Sequence, residues 1–424
     1  MDDQGSDPAA RRTRLTLGIL GCVTLLAIGW TGLLIPSLIR SIEATFGQTD
    51  AGIGVVYLLY ALAYTSGSFA GGTLTERLGR RFVLGGALLI HGAGIAGLGL
   101  APTWELFMVA TLVGGFGAGA LDGGANGLVL DVYREGRGRA MNLLHTSFAV
   151  GALAAPLALG TLVEAGVPWQ SVVVGTGVVI ALLAIAYAVM QMPSGRRSRN
   201  AGATVDADGA HAGRSLLAGP LLLLGFAIAA YVASEVGVSN WVVRFLEPAP
   251  LTTATLALSL FWLGIMLGRL VSSAIADRFD HLTFTVVCAL AMGVLIGVAV
   301  LTPALPLSIL AFAAAGAAAG PIFPMIVAIG GERYPERSAA VGGSLVGMAV
   351  VGSTIYPPLM GFLSVTVGLT VAMLGNVVLA LACAIALVVF GRVTNERVRE
   401  TDSADPTTNA PIGGMDDPAP TRAA

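Results

Sequence analysis

The sequence contains no lysine, so all 23 of its basic residues are arginine. Charge of either sign is scarce, at 11% of 424 residues, where soluble domains carry about a quarter. That scarcity excludes an ordinary water-soluble globular protein. The missing lysine reads as genome composition and not as mechanism. Cysteine is also nearly absent: Cys22, Cys288 and Cys383 sit in three separate apolar segments, without the spacing of a metal site or a disulfide framework. They read as small packing residues. The net charge of −2 offers no basic surface for nucleic acid. The sequence shows no nucleophile with a base and an orienting group, no metal cluster and no phosphate-cradling glycine loop. This argues against an enzyme and against a pump driven directly by ATP, and no cofactor is expected.

What is abundant is apolar. Hydrophobic residues make up 55% of the chain and the mean hydropathy is +0.82. Runs long enough to cross a bilayer, about 20 residues each, fall at 15–38, 51–73, 82–101, 105–130, 140–163, 170–192, 217–243, 253–276, 282–302, 305–330, 338–363 and 368–391. The 57 glycines are about twice the usual share and suit close helix packing in lipid. The expected fold is an all-α membrane protein with twelve transmembrane helices.

Arginine sets the expected orientation. Arg11, Arg12 and Arg14 precede the first span, and the loops on that side carry Arg77, Arg80, Arg81, Arg134, Arg137, Arg139, Arg278, Arg333 and Arg337. The opposite loops hold Arg40 and Arg244. By the positive-inside rule both termini are cytoplasmic and the chain is a multi-pass protein of the cell membrane. The expected organisation is a tail over 1–14, a six-helix bundle over 15–192, a polar linker over 193–216, a second bundle over 217–391 and a disordered tail over 392–424. A shift of 201 positions aligns Asp131 with Glu332, Tyr133 with Tyr334, Gly151 with Gly352, Pro156 with Pro357 and Gly160 with Gly361. Two pseudo-symmetric halves of this kind place a solute site between them near the midplane.

Polar residues inside the spans are the candidate site. Asp122 and Asn126 are four apart in span four, and Gly115 and Gly119 extend the same face, which we expect to line a cavity. An acid near the bilayer centre costs about 2.5–3.5 kcal/mol on insertion scales. Burial disfavours its charged form, as a group that loads and releases a proton, or coordinates Na⁺ with Asn126, requires. Asn142 and His145 share a face of span five, and an unperturbed histidine titrates near neutrality. In span seven Tyr231, Glu235 and Ser239 share a face, with Asn240 and Trp241 beside it. Tyr57, Tyr60 and Tyr64 stripe span two, and Trp262 lies inside span eight; such rings either cover a sugar's C–H face or simply pack. Arg269, near the end of span eight, either snorkels or pairs with Asp122.

The segment GGTLTERLGRR, residues 71–81, resembles the loop signature G-x-L-x-D-R-x-G-R-R of the major facilitator superfamily, with Glu76 in the place of aspartate. Gly72, Glu76, Arg77, Gly79 and Arg80 match it, and Asp277 and Arg278 stand in a degraded second copy. The resemblance implies the major facilitator fold, and we expect these acids and arginines to form ion pairs that shut the cytoplasmic gate. The pieces LDGGAN, MNLLHTSFAVGALAAPL, YVASEVGVSNW and FWLGIMLGRL resemble the branch containing fucose:proton symporters and sodium-dependent glucose transporters. That resemblance implies a sugar-like solute and turns Asp122, Asn126, Asn142 and Glu235 toward the cavity. It also shows a departure: fucose symporters carry an acid in the first helix where this chain has Gly32. The competing reading is efflux by proton antiport, because GALAAPLALG, residues 151–160, keeps part of an antiporter motif. The expected function is therefore ion-coupled symport of a small solute, a sugar, by alternating access, with H⁺ or Na⁺ as coupling ion. The lipid bilayer is the expected surrounding and a monomer the expected state.

Overall fold

The computed structural model describes residues 8–133, 137–190 and 219–404. The expected linker over 193–216 lies outside them, as does the chain beyond 404. The described residues are helical with short connections. The first half contains α1 (Pro8–Gly32), α2 (Leu34–Phe46), α3 (Asp50–Leu78), α4 (Arg80–Leu100), α5 (Trp104–Val132), α6 (Arg137–Glu164) and α7 (Trp169–Val189). The second contains α8 (Pro220–Phe245), α9 (Leu251–Ile275), α10 (His281–Leu301), α11 (Leu305–Ala319), α12 (Ile322–Arg333), α13 (Ser338–Val367) and α14 (Leu369–Ala404). By length and apolar composition twelve of these helices or helix pairs can cross a membrane. Large apolar side chains such as Ile90, Val179, Leu182, Ile185 and Val294 are exposed, as lipid contact requires.

Three boundaries differ from the expectation. The first span does not end near 38 but breaks at Leu33 and continues as α2 to Phe46. Pro36 explains the break, because its ring cannot sit in a continuous helix against the carbonyl of residue 32. The tenth span divides in the same way ahead of Pro321. The last helix runs to Ala404, past the expected start of the disordered tail at 392. No glycine or proline interrupts the chain between Gly391 and Pro406, so nothing stops the helix at the membrane edge.

Small residues bring the helices together. A side chain on Gly29 would meet the backbone of Phe148, and one on Gly151 the carbonyl of Leu26, so α1 and α6 touch backbone to backbone. Gly352, the repeat partner of Gly151, packs against the Ala229 carbonyl and joins α13 to α8 in the same way. The two halves meet through α3 against α13, α6 against α9 and α2 against α8.

The polar links between the halves lie toward the end away from both termini. Arg40 donates to the carbonyls of Val243 and Ala249, Arg244 to Asp50, Ser259 to the Leu153 carbonyl and Ser364 to Asp50. Gly54 also abuts Pro358 and Gly361 there. The halves are therefore sealed at this far end.

Candidate functional site

Between the halves lies a cavity of about 250 Å³, bounded by residues of α1, α2, α3, α6, α8 and α13. Thr31, Tyr60, Tyr64 and Phe148 form its wall in the first half, and Asn240, Ser353 and Thr354 in the second. Pro357 and Pro358 lie inside α13. Having no N–H, they leave the carbonyls of Ser353 and Thr354, four residues earlier, without helical donors. Two cavity-wall residues thus keep extra acceptor capacity. At Gly32 a Cβ would meet nothing within 4 Å, so the departure noted in the sequence leaves open space in the wall.

Asp122 sits one layer behind this wall. The Tyr64 hydroxyl donates to Asp122 Oδ2 at 2.8 Å, and Asn126 Nδ2 donates to Asp122 Oδ1 at 2.9 Å. The remaining amide oxygen, Asn126 Oδ1, is buried without a donor. A carboxylate beside an unsatisfied amide oxygen can accept a proton or offer two oxygens to a hard cation. The rest of the expected face behaves differently. Side chains on Gly115 and Gly119 would run into the backbone of Tyr60 and Tyr64, so these glycines form a packing seam with α3 and do not line the cavity.

His145 is exposed on α6 and lies within electrostatic reach of both Asp122 and Arg269. Across the interface, Tyr231 hydrogen-bonds Glu235 and lies within electrostatic reach of Arg269, and Arg269 Nε donates to the Gly320 carbonyl at 3.3 Å. Asp122, His145, Arg269, Tyr231 and Glu235 thus form a polar line from one half to the other. Neither expectation for Arg269 describes it: its Nε is held neither by Asp122 nor at the membrane edge but by the Gly320 carbonyl inside the second half. Asn142 is exposed, and its carbonyl accepts from Thr146.

The tryptophans pack. Trp241 is fully buried, donates to the Pro357 carbonyl at 2.8 Å and meets Tyr57 edge-on at 5.7 Å. Trp262 donates to Ser239 Oγ at 2.9 Å and supports Phe148, which does line the cavity.

The expected gate loop holds itself together within one half. Arg80 pairs with Asp131 at the end of α5, Gly79 takes the positive φ of 85° that the turn requires, and Arg77, Arg278 and Gly72 are exposed. The described ion pair does not bridge the halves, because they are sealed at the opposite end. The side chains of Glu76 and Asp277 lie outside the described residues.

Two features were missed in the sequence. His91, in α4, is buried, with Nδ1 2.8 Å from the Gly114 carbonyl and Nε2 3.0 Å from the Thr31 hydroxyl, so it fixes a cavity residue from behind. It could have been found as the one histidine in span three. The charged cluster of Glu43, Asp50 and Arg244 could not, because its members fall at the edges of separate apolar runs.

Twelve membrane-length helices in two halves, sealed at one end around a largely apolar cavity with a few polar groups, define a transporter and not an enzyme. The Major Facilitator Superfamily profile matches residues 18–349 and 223–414, and the chain belongs to that family. Among curated proteins it is 27% identical over 132 residues to sodium-dependent glucose transporter 1A of Mus musculus, a match covering 31% of each chain. It is 34% identical over 148 residues to the class C tetracycline resistance protein of Escherichia coli, covering 34% of this chain and 37% of that one. The chain thus spans about a third of the length of these relatives. A bacterial homolog of the human lysosomal transporter Spinster, solved inward-facing and unoccupied, superposes with a TM-score of 0.73 at 17% identity, over 92% of this chain and 98% of that one. The fucose:proton symporter of E. coli gives 0.59 at 17% identity, over 89% and 98%. Both structures share the fold.

Proposed function

We propose that this protein is a secondary active transporter that moves a sugar across a prokaryotic cytoplasmic membrane, coupled to H⁺ or Na⁺, with both termini in the cytoplasm. The observation that carries this reading is the hydrogen bond from Tyr64 to Asp122. The Tyr64 ring is part of the cavity wall, while its hydroxyl holds the half-buried acid, so occupancy of the cavity and ionisation of Asp122 act on one side chain. The glucose and fucose transporters among its relatives support a sugar. So do Tyr60, Asn240, Ser353 and Thr354, which offer a ring and polar groups to the two faces of a sugar within an otherwise largely apolar wall. With the far end sealed, the cavity belongs to an inward-facing state, and alternating access requires the halves to rock about it. The protein acts as a monomer in this reading.

The segment shared with a tetracycline resistance protein favours efflux as the second reading. A cavity of about 250 Å³ lies just below the span of small-molecule sites, which run from roughly 300 to 1,000 Å³, and so fits a small solute better. Counterflow of labelled hexoses and pentoses in proteoliposomes separates the two readings. Exchange of a sugar supports the proposal; no sugar exchange together with extrusion of tetracycline overturns it.

A further inference from the structure

The far-end seal carries more acid than its arginines neutralise. Arg244 Nε lies 2.7 Å from Asp50 Oδ1 and 3.0 Å from Glu43 Oε2. That nitrogen has a single hydrogen, and it is directed at Asp50. The Nη1 of Arg244 is engaged by Glu247. Arg40, the other nearby cation, donates from Nε, Nη1 and Nη2 to the carbonyls of Val243 and Ala249. Ser364 donates to the second oxygen of Asp50. Tyr57, which also faces the acids, gives its hydroxyl to the Asn240 carbonyl.

Glu43 is therefore left without a well-directed donor. Its Oε1 is buried and has no partner, and its carboxyl crowds that of Asp50, since both reach for the same Arg244 Nε. Two ionised carboxylates cannot hydrogen-bond, since both only accept. One proton resolves the conflict: a protonated Glu43 donates to Asp50, whose oxygens already accept from Arg244 and Ser364.

We infer that Glu43 and Asp50 together form a proton-binding site that is complete only while the halves are sealed at the far end. The two acids come from α2 and α3 of one half and their donors Arg244 and Ser364 from α8 and α13 of the other, so parting the halves strips Asp50 of both donors and uncovers Glu43. Glu43 then meets water, where a free glutamate ionises near pH 4, and its proton passes to the outer solution. Closing takes one proton up again. The inference rests on the alternating-access reading above, but on neither the solute nor Asp122.

The test uses the full chain in nanodiscs without solute, with Cys22, Cys288 and Cys383 replaced. Spin labels at Ala165 and Thr366, both exposed at the far end, report the distance between the halves by pulsed electron resonance. If closure binds one proton, the ratio of sealed to open molecules falls as pH rises from about 5 to about 8, by up to tenfold per unit. Glu43→Gln, which keeps a donor toward Asp50 and cannot titrate, stays sealed across that range. If Glu43→Gln does not fold, Asp50→Asn decides, because removing the second carboxylate also abolishes the pH dependence. A pH-independent distance in the parent protein overturns the inference, as does an undiminished pH dependence in the folded variant. Either result leaves the sugar assay untouched, and a failed sugar assay leaves this one untouched.

Discussion

Tyr64 donates its hydroxyl to Asp122 across 2.8 Å, joining a helix that lines the cavity to the one that carries the half-buried acid. A hydrogen bond to a charged group contributes about 1.5–3 kcal/mol. Tyr64→Phe keeps the ring and deletes that bond. Because that bond favours the charged carboxylate, its loss is expected to lower the proton concentration needed for half-maximal uptake by at least about tenfold where H⁺ is the coupling ion, and to lower the thermal unfolding temperature by a few degrees. Uptake titrated against Na⁺ and against pH in proteoliposomes checks this.

Gly54 should act as a contact on which sealing depends. A Cβ there would lie 2.5 Å from the Pro358 carbonyl, and backbone cannot yield as a side chain can. Gly54→Leu is expected to hold the far end open. A cysteine placed at Gly32, on the open cavity wall, should then react several times faster with a membrane-impermeant thiol reagent added outside than in a Gly54 protein. Equal rates would show that closure does not need this contact.

His91 should matter to stability before it matters to transport. It is buried and bonded at both ring nitrogens. The Gly114 carbonyl can only accept, so Nδ1 carries the hydrogen, and in the neutral ring Nε2 accepts from Thr31. His91→Ala leaves a cavity and two unsatisfied groups, at a cost of about 2–4 kcal/mol. Thermal unfolding in detergent should fall by several degrees, whereas His91→Gln should recover part of the loss.

Asp280 offers a pH test outside the membrane. It caps α10, accepting from the Thr283 amide at 2.8 Å and from the Thr283 hydroxyl at 2.7 Å. These bonds to the charged form hold its carboxyl below the usual aspartate range. With the folded value depressed, the cap's contribution is fully present above the unfolded value, about pH 4, and is lost as pH falls through the folded one. Asp280→Ala is expected to cost about 0.5–2 kcal/mol at neutral pH. The difference from the parent protein in hydrogen exchange over residues 281–285 should shrink in acid.

Much of this architecture is legible in the sequence because lipid imposes a simple rule: apolar runs become helices, and acids within them need partners. Asp122 and Asn126 were visible for that reason, and they do meet. The neighbouring glycines misled, because a face of small residues reads alike whether it borders a cavity or another helix. The buried side chains decided that case for packing. Trp241 belongs to the same ambiguity, being polar-tipped but satisfied by the carbonyl of Pro357. Glu43, Asp50 and Arg244 escaped notice for another reason. Each ends or begins a different apolar run, and only the meeting of the halves brings α2, α3 and α8 together. Hydropathy describes a helix against lipid and is silent about contacts between halves.

The central claim is that Asp122 couples the ion to the solute. The direct measurement is uptake of a labelled sugar into proteoliposomes under an imposed pH gradient and then under a Na⁺ gradient, comparing the parent protein with Asp122→Asn. The account predicts that one gradient drives accumulation in the parent and none in the variant, while sugar exchange without a gradient persists in both. Undiminished gradient-driven accumulation by Asp122→Asn would contradict it.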